Sequence, residues 1–267
     1  SNGKRPSRAG QARGSALTKV VDRERSACAS VCERRFASGS SERGTRSARE
    51  VAAIVLLDDD FATIVRAVGE GRQLFENLRR AFQYLLMIHI PLVVTAAFIP
   101  LAGYPLLYLP THIVWLELLI HPTALLVFQE FPAGGRIGPA AGRAGRFFSR
   151  RDWVAIAAVG ALITVLVTGG YLTSLGEDGR LEHGRAMALA VLTLSGVALT
   201  AALSRLRTRM AWLVAAAGGL LSAALIQTPA LARLLHLEPL HPADWVLALA
   251  AAVGVGLLTL ACVRRLV

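Results

Sequence analysis

Between Arg80 and Arg136 the sequence has no lysine and no arginine, and its only acidic side chains there are Glu117 and Glu130. So long a stretch without charge excludes a solvated surface. Lysine is nearly missing everywhere, with only Lys4 and Lys19. Cysteine is scarce too. Cys28 and Cys32 are spaced C-x3-C with no histidine nearby, and Cys262 stands far away, which excludes a disulfide framework and a zinc site. The first 50 residues contain no apolar core segment, so no secretory signal peptide is expected.

What is present is apolar. Hydrophobic residues make up 54% of the chain and the mean hydropathy is +0.50, which argues against a soluble globular domain. The net charge of +11 comes mostly from arginines before residue 50 and in the loops between apolar runs. A basic balance can mean nucleic acid. Here its placement fits the positive-inside rule of membrane proteins instead, so the expected partner is the lipid bilayer and no nucleic acid.

The chain is organised around Ala81 to Gln129, two apolar spans near the ~20 residues that cross a bilayer. Pro100, Gly103, Pro105 and Pro110 cut out the turn between them. Inside the spans stand the residues that lipid should reject: His89, Pro91, Glu117, His121 and Pro122. An ionisable group at membrane depth is costly and by default marks a site or a pathway. Glu117 and His121 are four apart and share a helix face. Pro91 deprives the Met87 carbonyl of its helical donor, and Pro122 does the same to Leu118. Freed carbonyls in a membrane helix persist where protein or a water-lined cavity covers them. Two readings follow. His89, Glu117, His121 and carbonyls at helix breaks form an ion site, or the histidines and the glutamate merely pair while the prolines kink.

Four further spans are expected, at about Trp153 to Leu175, Ala186 to Ser204, Met210 to Ala232 and Trp245 to Val263. With residues 43–80 placed in the cytoplasm, Arg72, Arg79, Arg80, the five arginines from Arg136 to Arg151, the three from Arg205 to Arg209, and Arg264 and Arg265 fall inside. Only Arg180, Arg185 and Arg233 fall outside. That asymmetry implies six spans with both termini cytoplasmic, and the membrane expected for them is the plasma (inner) membrane. Gly169, Gly170, Gly218, Gly219, Ser222, Gly254 and Gly256 read as close helix packing. The last four spans are expected to form a supporting bundle around the first hairpin.

Ahead of the spans, residues 1–42 are rich in Arg, Ser, Ala and Gly and read as a basic, disordered or aberrant head. Residues 43–80 hold the apolar run Val51–Leu57, which reads as a buried strand, then Asp58, Asp59 and Asp60, then an amphipathic helix for which Asp60 is a fair N-cap. The three aspartates suggest a Mg²⁺ site or, more simply, capping and solvation. One strand and one helix cannot form a core, so this segment reads as the end of an α/β domain.

Taken together, RGTRSAREVAAIVLLDDDFATIVRAVGEGRQLFENLRRAFQYLL, LPTHIVWLELLIHPTALLVF, the six spans and the arginine-rich loop resemble the C-terminal part of a P-type cation-transporting ATPase, of the bacterial, calcium-pump-like branch. The resemblance covers roughly residues 43 to 265. It implies an all-α membrane protein, a six-helix transmembrane bundle over residues 81–267, preceded at 43–80 by a strand-helix remnant of the phosphorylation domain and the stalk. It also implies a missing N-terminal part of the same pump as partner, with a transported cation. ATP and Mg²⁺ serve the complete pump, and no cofactor is bound by this chain alone. The DKTGT and TGDGxNDxP motifs that carry the phosphoryl chemistry are not in these residues, so no independent ATPase is expected. Carried over by position, cation binding falls on His89 and Leu92 of the first span and on Glu117, Ile120 and His121 of the second. Two imidazoles and one carboxylate depart from that branch's oxygen ligands and suit a softer divalent metal or a proton path. The competing expectation is a truncated, non-catalytic six-span protein, or a passive channel or accessory subunit.

Overall fold

The computed structural model describes residues 39–41, 54–56, 61–129, 147–178 and 180–264. The chain divides into two compact units, residues 1–69 and 70–267. In the first, β1 (Gly39–Ser41) pairs in parallel with β2 (Ile54–Leu56), with Gly39 opposite Ile54 and Ser41 opposite Leu56. Strand β2 lies within the apolar run Val51–Leu57. Gly39–Ser41 belong to the stretch expected to be disordered, and these three residues are instead extended and paired. The rest of the head, the three aspartates and the C-x3-C pair lie outside the described residues.

The helices are α1 (Phe61–Leu101), α2 (Pro110–Phe128), α3 (Arg150–Asp178), α4 (Leu181–Ser204), α5 (Arg209–Gln227), α6 (Pro229–Leu234) and α7 (Pro242–Arg264). Among the described residues, all but α6 are long and apolar enough to cross a membrane. The amphipathic stalk helix and the first span, which the resemblance has running into each other, are one helix of 41 residues. The change at Arg80 is one of polarity, and nothing in ENLRRAFQYLL stops a helix. The helix breaks expected at Pro91 and Pro122 are missing rungs within continuous helices, since α1 runs through the first and α2 through the second. Proline removes one backbone donor, and in a packed helix the remaining rungs carry the chain past it. By contrast, the fifth span ends at Gln227 and not at Ala232. Thr228, pushed into extended geometry by the proline after it, closes α5 and opens α6 with Pro229 in its first turn.

The bundle centres on α4, not on the first hairpin. Helix α4 packs against α2, α3, α5 and α7 and is buried over most of its length. Small residues on every side let neighbours approach. Gly184 lies under the Tyr171 ring of α3, and a Cβ at Gly196 would come within 2.8 Å of Ile88 Cδ1 on α1. The buried hydroxyls of Thr193 and Thr200 donate to the carbonyls one turn back, Leu189 and Gly196. A helix apolar all round belongs in the interior, as α4 does. Of the glycines expected at close contacts, Gly170, Gly218 and Gly256 do meet side chains of other helices, while Gly169, Gly219 and Gly254 have open space where a Cβ would stand.

Candidate functional site

Glu117 lies seven residues into α2, about 10 Å along its axis at 1.5 Å per residue, and so well within the span. Its Oε2 is 2.7 Å from Nδ1 of His121, one turn on, and its Oε1 is 3.3 Å from Nε2 of His89 on α1. The contact with His121 is close without hydrogen-bond alignment, so this buried oxygen remains unsatisfied. The two imidazoles meet edge to face, with ring centroids 5.8 Å apart. One ligand atom from each of the three residues can be chosen so that all lie within 4.8 Å of one another, and among the described residues no other trio of His, Cys, Asp or Glu does so. Glu117 and His89 are each about one-third exposed and His121 more than half, so the cluster opens on one side of the helix pair.

The backbone fixes the chemistry of one member. His89 Nδ1 lies 2.9 Å from the carbonyl of Leu85, one turn earlier, and must carry the hydrogen in that contact. In the neutral ring, Nε2 then presents a lone pair, and it presents it to a carboxylate oxygen. Either a proton on Nε2 or a metal ion would reconcile the two groups at this 3.3 Å contact.

All three residues expected from the sequence to hold a cation therefore converge. Leu92 and Ile120, which the resemblance places among cation-binding positions, are buried apolar side chains in the core. The pocket between α1, α2, α4 and α5, walled by Tyr84, Thr123, Thr193 and Thr200, includes none of the three.

Three polar connections escaped the sequence reading. At one end of the bundle Arg79 of α1 donates to the buried carboxylate of Asp152, which also accepts from Ser149 N–H and Oγ–H at 2.7 Å. Ser149 in turn takes the Asp152 N–H. That is a reciprocal cap, and its signal is Ser149-x-x-Asp152. Beside it Asn77 donates to the carbonyl of Gln129 at 3.0 Å, tying α1 to the end of α2. At the other end His112 of α2, fully buried, reaches the carbonyl of Leu235. A lone histidine two residues after Pro110 gave no such indication.

Six bilayer-length helices around a shared core make this a multi-pass membrane protein. Residues 105–265 match the family described as "Cation transporting ATPase, C-terminus", and the chain belongs to that family. It is 28% identical over 217 residues to a "Calcium-transporting ATPase" of Bacillus subtilis, a match covering 76% of this chain and 24% of the relative. It is 36% identical over 76 residues to "Calcium-transporting ATPase 1" of Bacillus cereus, covering 28% of this chain and 9% of that protein. An endoplasmic reticulum-type relative from Arabidopsis thaliana, "Calcium-transporting ATPase 4", is 36% identical over 75 residues, covering 28% and 7%. The chain thus spans about a quarter or less of the length of these relatives.

Proposed function

We propose that this chain is the membrane transport portion of an ATP-driven P-type cation pump, and that the transported cation is held by His89, Glu117 and His121. The observation that carries the reading is the convergence of these three side chains from two helices at membrane depth, in a chain of this family. A carboxylate and two imidazoles facing one point are costly in lipid unless a cation or a partner repays them. Residues 43–80 are the end of the phosphorylation domain and the stalk. Phosphoryl transfer, with its ATP and Mg²⁺, belongs to the remainder of the pump, which is this chain's partner. In this scheme phosphorylation moves the stalk half of α1, and Arg79 on Asp152 and Asn77 on Gln129 pass that movement to α3 and α2. The cation site, on the same two helices, then opens to alternate sides. The arginine distribution supports placing both ends in the cytoplasm, and the membrane we assign is the plasma membrane.

A chimera tests this. Residues 61–267 replace the corresponding stalk and membrane portion of the Bacillus subtilis relative, and ATP hydrolysis is measured across a series of cations. The expected outcome is cation-stimulated hydrolysis that Glu117→Gln weakens about tenfold or more in apparent cation affinity, the scale of roughly 1.4 kcal/mol or more. Stimulation that survives Glu117→Gln unchanged overturns the site. A chimera with no cation stimulation overturns the transport role.

A further inference from the structure

We infer that the cation taken by His89, Glu117 and His121 is a divalent transition-metal ion of the imidazole-binding class, such as Zn²⁺, Co²⁺ or Ni²⁺, and not Ca²⁺. This rests on the reading of these three residues as the cation site.

The donor set decides first. Two of the three ligands are imidazole nitrogens, which suit Zn²⁺, Cu²⁺, Fe²⁺ and Ni²⁺. Ca²⁺ takes six to eight oxygens at about 2.3–2.6 Å, and the cluster offers one carboxylate. Leu92 and Ile120, one turn on from His89 and Glu117 and buried in the core, add no oxygen side chain.

Geometry points the same way. Around a tetrahedral ion with ligands at about 2.0–2.1 Å, neighbouring ligand atoms stand about 3.3 Å apart. His89 Nε2 and Glu117 Oε1 are at 3.3 Å already. His121 Nδ1 stands 2.7 Å from the other oxygen, Oε2, and one ligand atom from each of the three residues lies within 4.8 Å of the others. Three protein ligands with one open position is an arrangement that exchanges its ion, as transport requires.

The surroundings of His89 complete the case. A metal-bound histidine ordinarily gives its other ring N–H to a carboxylate or a backbone carbonyl, which fixes the tautomer and the ring plane. His89 gives Nδ1–H to Leu85 O at 2.9 Å, which leaves Nε2 of the neutral ring as a lone-pair donor 3.3 Å from Glu117 Oε1. That preparation serves a nitrogen-ligated metal. An ion pair with Glu117 needs only a protonated ring.

The test uses the purified 267-residue chain in nanodiscs, with Co²⁺ as the probe. The visible d–d band reports nitrogen and oxygen ligation, and circular dichroism confirms that each variant keeps its helices. The expected result is one Co²⁺ per chain with a band of tetrahedral intensity, displaced by equimolar Zn²⁺ and unmoved by millimolar Ca²⁺. His89→Asn, Glu117→Gln and His121→Asn each weaken it about tenfold or more, while His112→Gln does not. His121→Asp, which trades a nitrogen for an oxygen ligand, lowers Co²⁺ affinity and raises Ca²⁺ affinity. If Ca²⁺ displaces Co²⁺ in a Glu117-dependent way, the transition-metal class is wrong and the site stands. If metal binding ignores all three substitutions, or no metal binds, the site reading fails and the class with it.

Discussion

His112 Nε2, on the first turn of α2, donates to the carbonyl of Leu235, just past α6, at 2.6 Å, joining residues 123 positions apart. Its Nδ1 meanwhile accepts the N–H of Leu109 at 3.3 Å, so the neutral ring with hydrogen on Nε2 satisfies both partners. The side chain is fully buried. His112→Ala leaves two backbone groups without these partners, and a buried unsatisfied group costs about 1–3 kcal/mol. The expected loss is about 2–6 kcal/mol, with a smaller loss in His112→Gln, read from the midpoint of denaturant-induced unfolding in detergent. Unchanged midpoints would show that the bridge contributes nothing.

Asp152 joins two functions in one carboxylate: it accepts from Ser149 as the return half of the cap at the start of α3, and it is the ion-pair partner of Arg79. Its side chain is 3% exposed and that of Arg79 29%, so the pair is part-screened on the arginine side only. Asp152→Asn keeps an oxygen for the Ser149 N–H and loses the charge. Asp152→Ala loses both. Breaking a buried pair on one side costs about 3–5 kcal/mol, and a lost N-cap about 1 kcal/mol. The alanine variant is therefore expected to unfold well before the asparagine one, and equal midpoints for the two would assign the whole effect to charge.

A third prediction concerns the centre of the bundle. A Cβ at Gly184 would sit 3.1 Å from Tyr171 Cδ2 and 3.4 Å from the Tyr171 carbonyl. Tyr171 is fully buried, and its hydroxyl is held on the carbonyl of Pro105 at 2.8 Å, so the ring has little room to yield. Alanine gains up to about 1 kcal/mol in helix propensity, which offsets the crowding. Valine adds two methyl groups and is expected to destabilise by about 1–3 kcal/mol. Unfolding midpoints of Gly184→Ala and Gly184→Val distinguish the two effects.

The spans were legible because lipid-length apolar runs bounded by arginine are a strong signal, and Glu117 with His121 because a spacing of four admits one helical face. The approach of His89 to Glu117 was not legible from spacing, since nothing along one chain says which faces of two helices meet; it was suggested only by the cost of leaving ionisable groups alone at membrane depth, and by the family resemblance. The stop at Gln227 was written in Thr228-Pro229 but hidden by the apolar residues that continue past it. The central place of α4 could have been read from its alternation of Gly, Ala, Ser and Thr with leucines, a pattern that invites neighbours on all sides. All the spans look alike on hydropathy alone, and hydropathy does not rank helices by depth in a bundle.

Pro91 separates two sources of ligand. The residue is buried against α3, where a Cβ at Gly160 would lie 3.7 Å from its Cδ. Its missing N–H leaves the Met87 carbonyl short of a donor, which invites that oxygen into a cation site. Yet α1 continues through Pro91, and Met87 is wholly buried in the core. Pro91→Ala returns one rung, worth about 0.5–1.5 kcal/mol, against a loss of ring contacts of similar size. Stability is therefore expected to change little, and Co²⁺ affinity not at all, because the ligands are the three side chains. A tenfold loss of Co²⁺ affinity with unchanged stability would instead place the Met87 carbonyl among them. Pro122→Ala poses the same question of Leu118, which is exposed and lies beside Glu117 in the chain, so it is the more sensitive of the two probes. If neither alanine variant alters metal affinity, the prolines shape helix packing and the site is built from side chains alone.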